Sequence, residues 1–232
     1  ALTTTLKNAV KNNQLAHAYL FCGPRGVGKT TCARIFAKTI NCLHPTPEGE
    51  ACNACESCLS FNDQRSLNIF ELDAASNNSV DGIRTLVDQV RIPPQLGKYK
   101  VYIIDEVHML STAAFNALLK TLEEPPPHAI FVLATTEIHK IPATVLSRCQ
   151  QHEFRRIPLH TIIDHLKEKS QEEGIKVESP ALNLIARQAT GSLRDAISLL
   201  DQLAATEETI SLEMAQKVLG TATNLSVIEI VD

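Results

Sequence analysis

The chain has 232 residues, 44% of them hydrophobic and 21% charged, which suffices for one large folded domain or for one domain with a small companion. The formal net charge of −4 gives no overall signal for binding to nucleic acid or to a membrane. No apolar run approaches the roughly 20 residues that span a bilayer, and the start has no secretory signal pattern, so we expect a cytoplasmic protein without a membrane partner.

The two ends of the sequence suggest a piece of a longer protein. The chain starts without Met, and residues 225–230 resemble the beginning of a new helix. We therefore expect residues 223–232 to begin a truncated further domain.

A glycine-rich loop follows the first predicted strand. Residues 18–21 are apolar, as in a buried strand, and an amphipathic helix is predicted over residues 31–40. The loop between them reads Gly23-Pro24-Arg25-Gly26-Val27-Gly28-Lys29-Thr30, followed by Thr31. Its glycines let successive N–H groups point at one anion, and the helix start adds its dipole. This pattern predicts a nucleoside triphosphate site in which Lys29 reaches the β- and γ-phosphates and the Thr30 hydroxyl ligates Mg²⁺.

Four of the seven cysteines are clustered after this helix. Cys42, Cys52, Cys55 and Cys58 lie within a predicted surface insertion over residues 42–61, and in a cytosolic protein such clustering favours a metal over disulfides. Four thiolates complete a tetrahedral Zn²⁺ site without an open position for water, so we expect a role in folding. His44 is an alternative ligand, and reduced thiols without metal are the alternative state.

Two carboxylates follow another buried strand. A strand is predicted over residues 69–73, and Ser79 is predicted to cap the next helix. The apolar residues 101–104 then lead into Asp105-Glu106-Val107-His108. Since ligands of parallel sheets bind at the carboxyl ends of strands, we expect Asp105 to hold Mg²⁺ and Glu106 to orient or deprotonate an attacking water. His108 is expected to be a hydrogen-bonded structural residue.

The remaining strands complete a parallel sheet. Residues 129–134 form the fourth predicted strand, with Thr135-Thr136 at its carboxyl end, and residues 151–154 form a weaker fifth strand. A hydroxyl at this edge could bond the γ-phosphate or position water, although the pattern alone favours ordinary strand-end capping. The fold class is therefore α/β, a parallel five-stranded sheet with helices on both faces.

Helical patterns replace the strand signals after Pro158. Helices are predicted over residues 160–173, from Pro180, over 193–205 and over 209–219. The expected organisation is a phosphate-loop domain over residues 1–157, with the insertion, followed by a small all-helical domain over residues 158–222.

Together these motifs resemble the AAA+ ATPases and, within them, the gamma/tau subunits of the bacterial DNA polymerase III clamp loader. The resemblance covers essentially the whole chain. It rests on the phosphate loop, the four-cysteine insertion, Asp105-Glu106-Val107-His108, Leu118-Leu119-Lys120-Thr121-Leu122-Glu123-Glu124-Pro125, Thr135-Thr136, Ser147-Arg148-Cys149 and Gly191-Ser192-Leu193-Arg194-Asp195.

The resemblance implies roles that the pattern does not supply. It implies that the nucleotide is ATP. It implies that Thr136, or less well Thr135, is sensor 1. It also implies that Arg194 is sensor 2, which reaches the γ-phosphate from a helical lid. It implies that Arg148 is an arginine finger acting on ATP bound by the neighbouring subunit. A segment before Ala1 that supplies adenine contacts and an oligomerisation domain after Asp232 would be missing, so we expect a monomeric or weakly associated piece with slow hydrolysis.

The family also implies what the activity is for. It implies an ATPase of the DNA polymerase III holoenzyme, a DNA-directed DNA polymerase complex, that loads a sliding clamp on primed DNA in DNA replication. Its partners would be the other subunits of a hetero-pentamer, the clamp and the DNA. The alternatives are a nucleotide-dependent scaffold that does not hydrolyse, or another AAA+ replication machine such as a helicase loader, against which the cysteine insertion argues.

Overall fold

The computed structural model describes residues 2–77, 80–206 and 209–220. The predicted cap Ser79 and the predicted further domain at 223–232 lie outside these ranges. The described residues divide into two compact units, one up to Gly23 with Gly28–Phe154, and the other Pro24–Val27 with the described residues from Arg155 onward. No helix in the described ranges is long and apolar enough to cross a membrane.

The first unit is built on a parallel sheet, which confirms the predicted fold class. Its described residues form five strands in the order β2-β3-β4-β1-β5, and every neighbouring pair is parallel. The three central strands are buried along nearly their whole length, which explains their unbroken apolar runs. The strands are β1 Ala18–Cys22, β2 Ile69–Asp73, β3 Lys100–Asp105, β4 Ala129–Thr135 and β5 Gln150–Glu153.

Helices cover both faces of this sheet. Successive strand residues point to opposite faces, so Tyr102 and Ile104 pack in one buried cluster, while Val101 and Ile103 pack in the other. The first cluster is closed by α4 and α5, and the second by α1 and α2. These helices are α1 Leu2–Lys11, α2 Lys29–Ile40, α4 Val80–Val90 and α5 Thr112–Glu123, and the shorter α3 Glu56–Asn62 and α6 Ala143–Leu146 lie in the same unit.

The second unit is helical, with one addition that the sequence did not predict. A two-stranded parallel sheet joins β6 Lys176–Val177 to β7 Thr209–Ile210, so the prediction of an all-helical domain is wrong in this detail. A two-residue strand is too short for its alternation of side chains to be detected in the sequence. The last helix, which was predicted from residue 209, starts after Ser211, whose hydroxyl accepts a hydrogen bond from the Met214 N–H. The helices are α7 Leu159–Glu172, α8 Ser179–Gln188, α9 Leu193–Ala204 and α10 Leu212–Val218.

A buried histidine in the edge strand makes the first unit sensitive to acid. The His152 ring stacks on Tyr19, with ring centroids 5.9 Å apart, and its Nε2 has no hydrogen-bond partner in the described part of the chain. Burial lowers the pKa of His152 below its usual value. The folded state therefore binds this proton less well than the unfolded state does, and the stability that His152 contributes is lost as pH falls below about 6.5, the pKa of an unperturbed histidine.

We predict that replacing His152 by Phe makes the melting temperature depend less on pH in the acidic range. The variant keeps an aromatic ring beside Tyr19 but has no group to protonate, so the melting temperature of the wild type should fall more steeply than that of His152→Phe between pH 7.5 and 5.5. Each kcal/mol corresponds to roughly 2–4 °C in a protein of this size. Differential scanning calorimetry across pH measures the difference, with His160→Gln, at an exposed position, as the control. Parallel pH profiles for the wild type and His152→Phe would contradict this prediction.

Candidate nucleotide site and metal centre

The glycine-rich loop has the backbone conformation that its composition predicts. Gly28, the residue before α2, adopts a left-handed conformation with φ 93° and ψ 20°. Gly23 has φ 150°, and a Cβ at this position would overlap the carbonyl oxygen of Phe154. Both positions therefore need glycine, one for its backbone conformation and the other mainly for space.

Lys29 is the first residue of α2 and lies almost completely buried. The residue is 6% exposed, and its Nζ donates a hydrogen bond to the Gly23 carbonyl oxygen at 2.8 Å. The ammonium group is thereby held across the base of the loop, beside the N-terminus of a helix. A positive charge beside the N-terminus of a helix forms an anion-binding environment.

The two predicted magnesium ligands are in direct contact. The Thr30 hydroxyl donates to Asp105 Oδ2 at 2.5 Å, although the residues are 75 positions apart. The other carboxylate oxygen, Oδ1, accepts from the Glu106 N–H at 2.9 Å. A hydroxyl and a carboxylate are the hard oxygen ligands that Mg²⁺ prefers, so the donor set fits this ion.

Glu106 has an uncommon backbone conformation for its residue type. Its φ of 46° and ψ of 42° are left-handed, which costs a non-glycine residue about 1–3 kcal/mol. Glu106 Oε2 accepts a hydrogen bond from the Thr136 hydroxyl at 3.0 Å. The strained turn after β3 therefore brings the carboxylate of Glu106 to the residue that follows β4.

The two threonines after β4 have different partners. Thr135 is fully buried, and its hydroxyl contacts His108 Nδ1 at 3.0 Å and accepts from the Glu137 N–H at 3.0 Å. The structure thus brings Thr136, and not Thr135, to Glu106. Sequence reasoning missed Glu137, whose only signal was an acidic residue directly after the two threonines.

The two candidate arginines have other partners. Arg148 follows α6, is about one-third exposed, and donates to the Thr144 carbonyl oxygen and to Glu123 Oε1, each at 2.7 Å. Glu123 is a second residue that sequence reasoning did not single out. Arg194 lies in the first turn of α9 in the second unit, after Ser192, whose hydroxyl accepts from the Asp195 N–H at 3.2 Å.

The four clustered cysteines converge as predicted. The sulfur atoms of Cys42, Cys52, Cys55 and Cys58 all lie within 4.8 Å of one another, and those of Cys42 and Cys55 are 3.9 Å apart. A tetrahedral zinc with Zn–S bonds of about 2.3 Å requires sulfurs about 3.8 Å apart, so the cluster fits this ion. His44, the alternative ligand, does not belong to the group that the described residues form.

Backbone hydrogen bonds favour thiolates in this cluster. The Cys52 N–H donates to Cys42 Sγ and the Cys55 N–H donates to Cys52 Sγ, each at 3.3 Å. Burial acts to raise the pKa of Cys55, but hydrogen bonds from backbone groups and neighbouring thiols outweigh it and lower the pKa to about 6. Burial, together with the hydrogen bond that Cys58 donates to Cys55, raises the pKa of Cys58 to about 12. A metal cation would stabilise all four as thiolates.

Comparison with known proteins gives two family matches. The family described as "DNA polymerase III, delta subunit" matches residues 1–158. The family described as "DNA polymerase III clamp loader subunit, ATPase lid domain" matches residues 161–212. Together they match residues in both compact units.

Curated relatives carry related names. "DNA polymerase III subunit tau" of Bacillus subtilis strain 168 is 54% identical over 201 residues, which are 87% of this chain and 36% of the relative. The protein of the same name from Escherichia coli K12 is 46% identical over 222 residues, 94% of this chain and 34% of the relative. This chain therefore spans about a third of the length of these relatives.

Solved structures agree on the fold. The structure titled "Thermotoga maritima RuvB Holliday junction branch migration motor" has a TM-score of 0.67 and covers 94% of this chain and 66% of that chain. The sequence identity is 21%, so the similarity shows a shared fold alone.

We predict that the purified protein contains about one zinc ion per chain. Replacing Cys58 by Ser should remove the zinc and lower the melting temperature, because the zinc held by the four sulfurs would cross-link the insertion. Metal analysis and thermal unfolding measure both effects, with Cys32→Ser, outside the cluster, as a control that keeps its zinc. Wild-type protein that lacks zinc and melts at the same temperature after chelation would contradict the assignment.

Proposed function

Because this chain belongs to the gamma/tau family of bacterial DNA polymerase III clamp-loader subunits, we propose that it is the ATP-hydrolysing part of a clamp loader. In this proposal, ATP binding and hydrolysis drive the loading of a sliding clamp on primed DNA in the bacterial cytoplasm. Its partners are the clamp, the DNA and the other subunits of a hetero-pentamer within the DNA polymerase III holoenzyme.

The observation that carries the proposal is the convergence of three strand ends on one group of contacts. Thr30 after β1 contacts Asp105 at the end of β3, and Glu106 contacts Thr136 after β4. Phosphate-loop hydrolases need a cation site, a carboxylate near water and a polar residue beside the γ-phosphate. All three kinds of group are present in the first unit.

Each residue of the loop and the acidic strand end then has a role. The backbone N–H groups of residues 23–31 cradle the phosphates, and the Lys29 ammonium leaves the Gly23 carbonyl to bind the β- and γ-phosphates. Thr30 and Asp105 hold Mg²⁺, which when bound neutralises charge on the phosphate oxygens. Glu106 accepts a proton from the attacking water, and Thr136 orients the Glu106 carboxylate as sensor 1.

The two arginines extend the site beyond these contacts. We assign Arg148 as the arginine finger, which stabilises charge on the γ-phosphate of ATP held by a neighbouring subunit. Its exposed position supports this role, since one-third of the side chain is accessible to another chain. We assign Arg194, in the lid, as sensor 2, which would link the nucleotide state to the position of the lid.

A scaffold that binds nucleotide without hydrolysing it is the competing proposal. The left-handed backbone of Glu106 favours hydrolysis, because strain of this kind persists where the surrounding structure holds a functional side chain in place. The contact of Glu106 with Thr136 supports the same conclusion.

We predict that Glu106→Gln binds ATP normally but turns over about 10²–10⁴ times more slowly, the usual contribution of a general base. The amide keeps the size and the contact with Thr136 but cannot take up a proton. Steady-state ATP hydrolysis and clamp release in the reconstituted complex measure the effect, with Glu168→Gln on the exposed face of α7 as the control. A Glu106→Gln complex with normal turnover would favour the scaffold.

We predict that Arg148 acts on a neighbour's nucleotide and not on its own. Complexes with only Arg148→Ala subunits should lose most ATP hydrolysis, since such fingers contribute up to about 10³–10⁵ in rate. Complexes with only Lys29→Ala subunits should also be inactive. In assemblies that mix the two variants, a Lys29→Ala subunit still supplies Arg148 to its neighbour, so part of the activity should return. No recovery at any mixing ratio would contradict action between subunits.

A further inference from the structure

We propose that His108 is a positioning residue that fixes the turn carrying Glu106 against the segment carrying Thr136. The inference rests on the proposed function, in which Glu106 is the base for hydrolysis. It assigns to His108 a part in the reaction beyond that of an ordinary structural histidine.

The His108 ring is enclosed by polar groups of the site. The side chain is 6% exposed and lies in the short 3₁₀ turn Val107–Met109 that follows Glu106. Its Nδ1 is 3.0 Å from Thr135 Oγ1, and its Nε2 is 3.3 Å from Glu137 Oε1. Both ring nitrogens thus contact the segment after β4, while the ring belongs to the segment after β3.

The two ring nitrogens contact different groups of the segment after β4. Nδ1 shares a hydrogen bond with the Thr135 hydroxyl, whose oxygen also accepts from the Glu137 N–H at 3.0 Å. Nε2 lies at ion-pair distance from the Glu137 carboxylate. His108, Thr135 and Glu137 thus form one connected polar cluster.

A lysine outside this cluster favours the charged form of Glu137. Lys140 Nζ lies 2.9 Å from Glu137 Oε1 and 2.8 Å from Oε2, and the hydrogen bond from Lys140 lowers the pKa of Glu137. Glu137 therefore presents a negative charge to the His108 ring. The exposed ring of His139 also approaches Glu137, with its Nε2 3.5 Å from Oε2.

This polar cluster adjoins the carboxylate of Glu106, the proposed base. Glu106 Oε2 lies 3.4 Å from His108 Nδ1 and accepts from the Thr136 hydroxyl at 3.0 Å. Because Glu106 has a strained backbone, its side chain needs support from the residues that follow it. Without the imidazole, the turn loses its contacts with Thr135 and Glu137, and Glu106 is held less firmly toward the attacking water.

Nucleotide binding has no such dependence on His108. The contacts of Lys29 with Gly23 and of Thr30 with Asp105 do not involve the imidazole. Loss of His108 should therefore lower the rate of hydrolysis much more than the affinity for ATP. A displacement of about 1 Å at a reacting group can cost about 10²-fold in rate.

The test compares His108→Ala, His108→Gln and His139→Ala in the full-length protein within its reconstituted complex. His139→Ala is the matched control because it also removes a histidine that approaches Glu137, but one whose side chain is 73% exposed. The measurements are kcat for ATP hydrolysis, the dissociation constant of a fluorescent ATP analogue and the melting temperature.

We expect His108→Ala to lower kcat about 10–100-fold while the dissociation constant changes less than about twofold. His108→Gln should restore part of kcat, since its amide offers one donor and one acceptor, and His139→Ala should match the wild type. If His108→Ala does not fold, the same comparison of kcat with affinity is made on His108→Gln.

Two results would overturn the inference. One is a His108→Ala complex whose kcat stays within twofold of the wild type, and the other is an equal loss of kcat and affinity. The Glu106→Gln complex separates this failure from failure of the proposed function. An inactive Glu106→Gln complex beside an active His108→Ala complex refutes the role of His108 alone, whereas normal turnover in Glu106→Gln refutes hydrolysis through Glu106.

Discussion

The parallel alignment of β1, β3 and β4 is the constraint on which the site depends. Cys22 pairs with Thr135, and Ile104 pairs with Leu133, so the three strands end at one edge of the sheet. Every group assigned to the phosphates, the cation or the attacking water in the first unit follows one of these three ends. A change of register by one residue in β3 would exchange its two faces and move Asp105 away from Thr30.

The cysteine cluster lies in an insertion that has little apolar core. The insertion is too short to bury an apolar core of its own, and the buried residues of α3 are only Ser57 and Cys58. A cation that binds four sulfurs lying within 4.8 Å of one another would cross-link such a segment and stabilise its fold. We therefore propose that the cluster has a part in folding, while the oxygen ligands of Thr30 and Asp105 have a part in chemistry.

Much of this architecture follows from the sequence, because its strongest signals are local. The apolar runs of β1, β3 and β4 predict buried strands, the glycine-rich loop predicts its own backbone shape, and the cysteine spacing predicts a metal cluster. The contacts between residues far apart in the sequence were harder to predict. His108, Thr135 and Glu137 meet only because two strands pair in one register, and the pair Glu123–Arg148 depends on packing of α5 near α6. The role proposed for Arg148 would depend on another subunit, which no pattern within one chain can reveal.

The central claim, that the phosphate loop and the acidic end of β3 form one magnesium–triphosphate site, is tested most directly by calorimetric titration of the full-length protein with a slowly hydrolysed ATP analogue. The account predicts one nucleotide per chain, tighter binding in the presence of Mg²⁺, loss of binding in Lys29→Ala, and loss of the magnesium effect in Asp105→Ala. Absence of nucleotide uptake by the wild type, or equal binding by all three proteins with and without Mg²⁺, would contradict it.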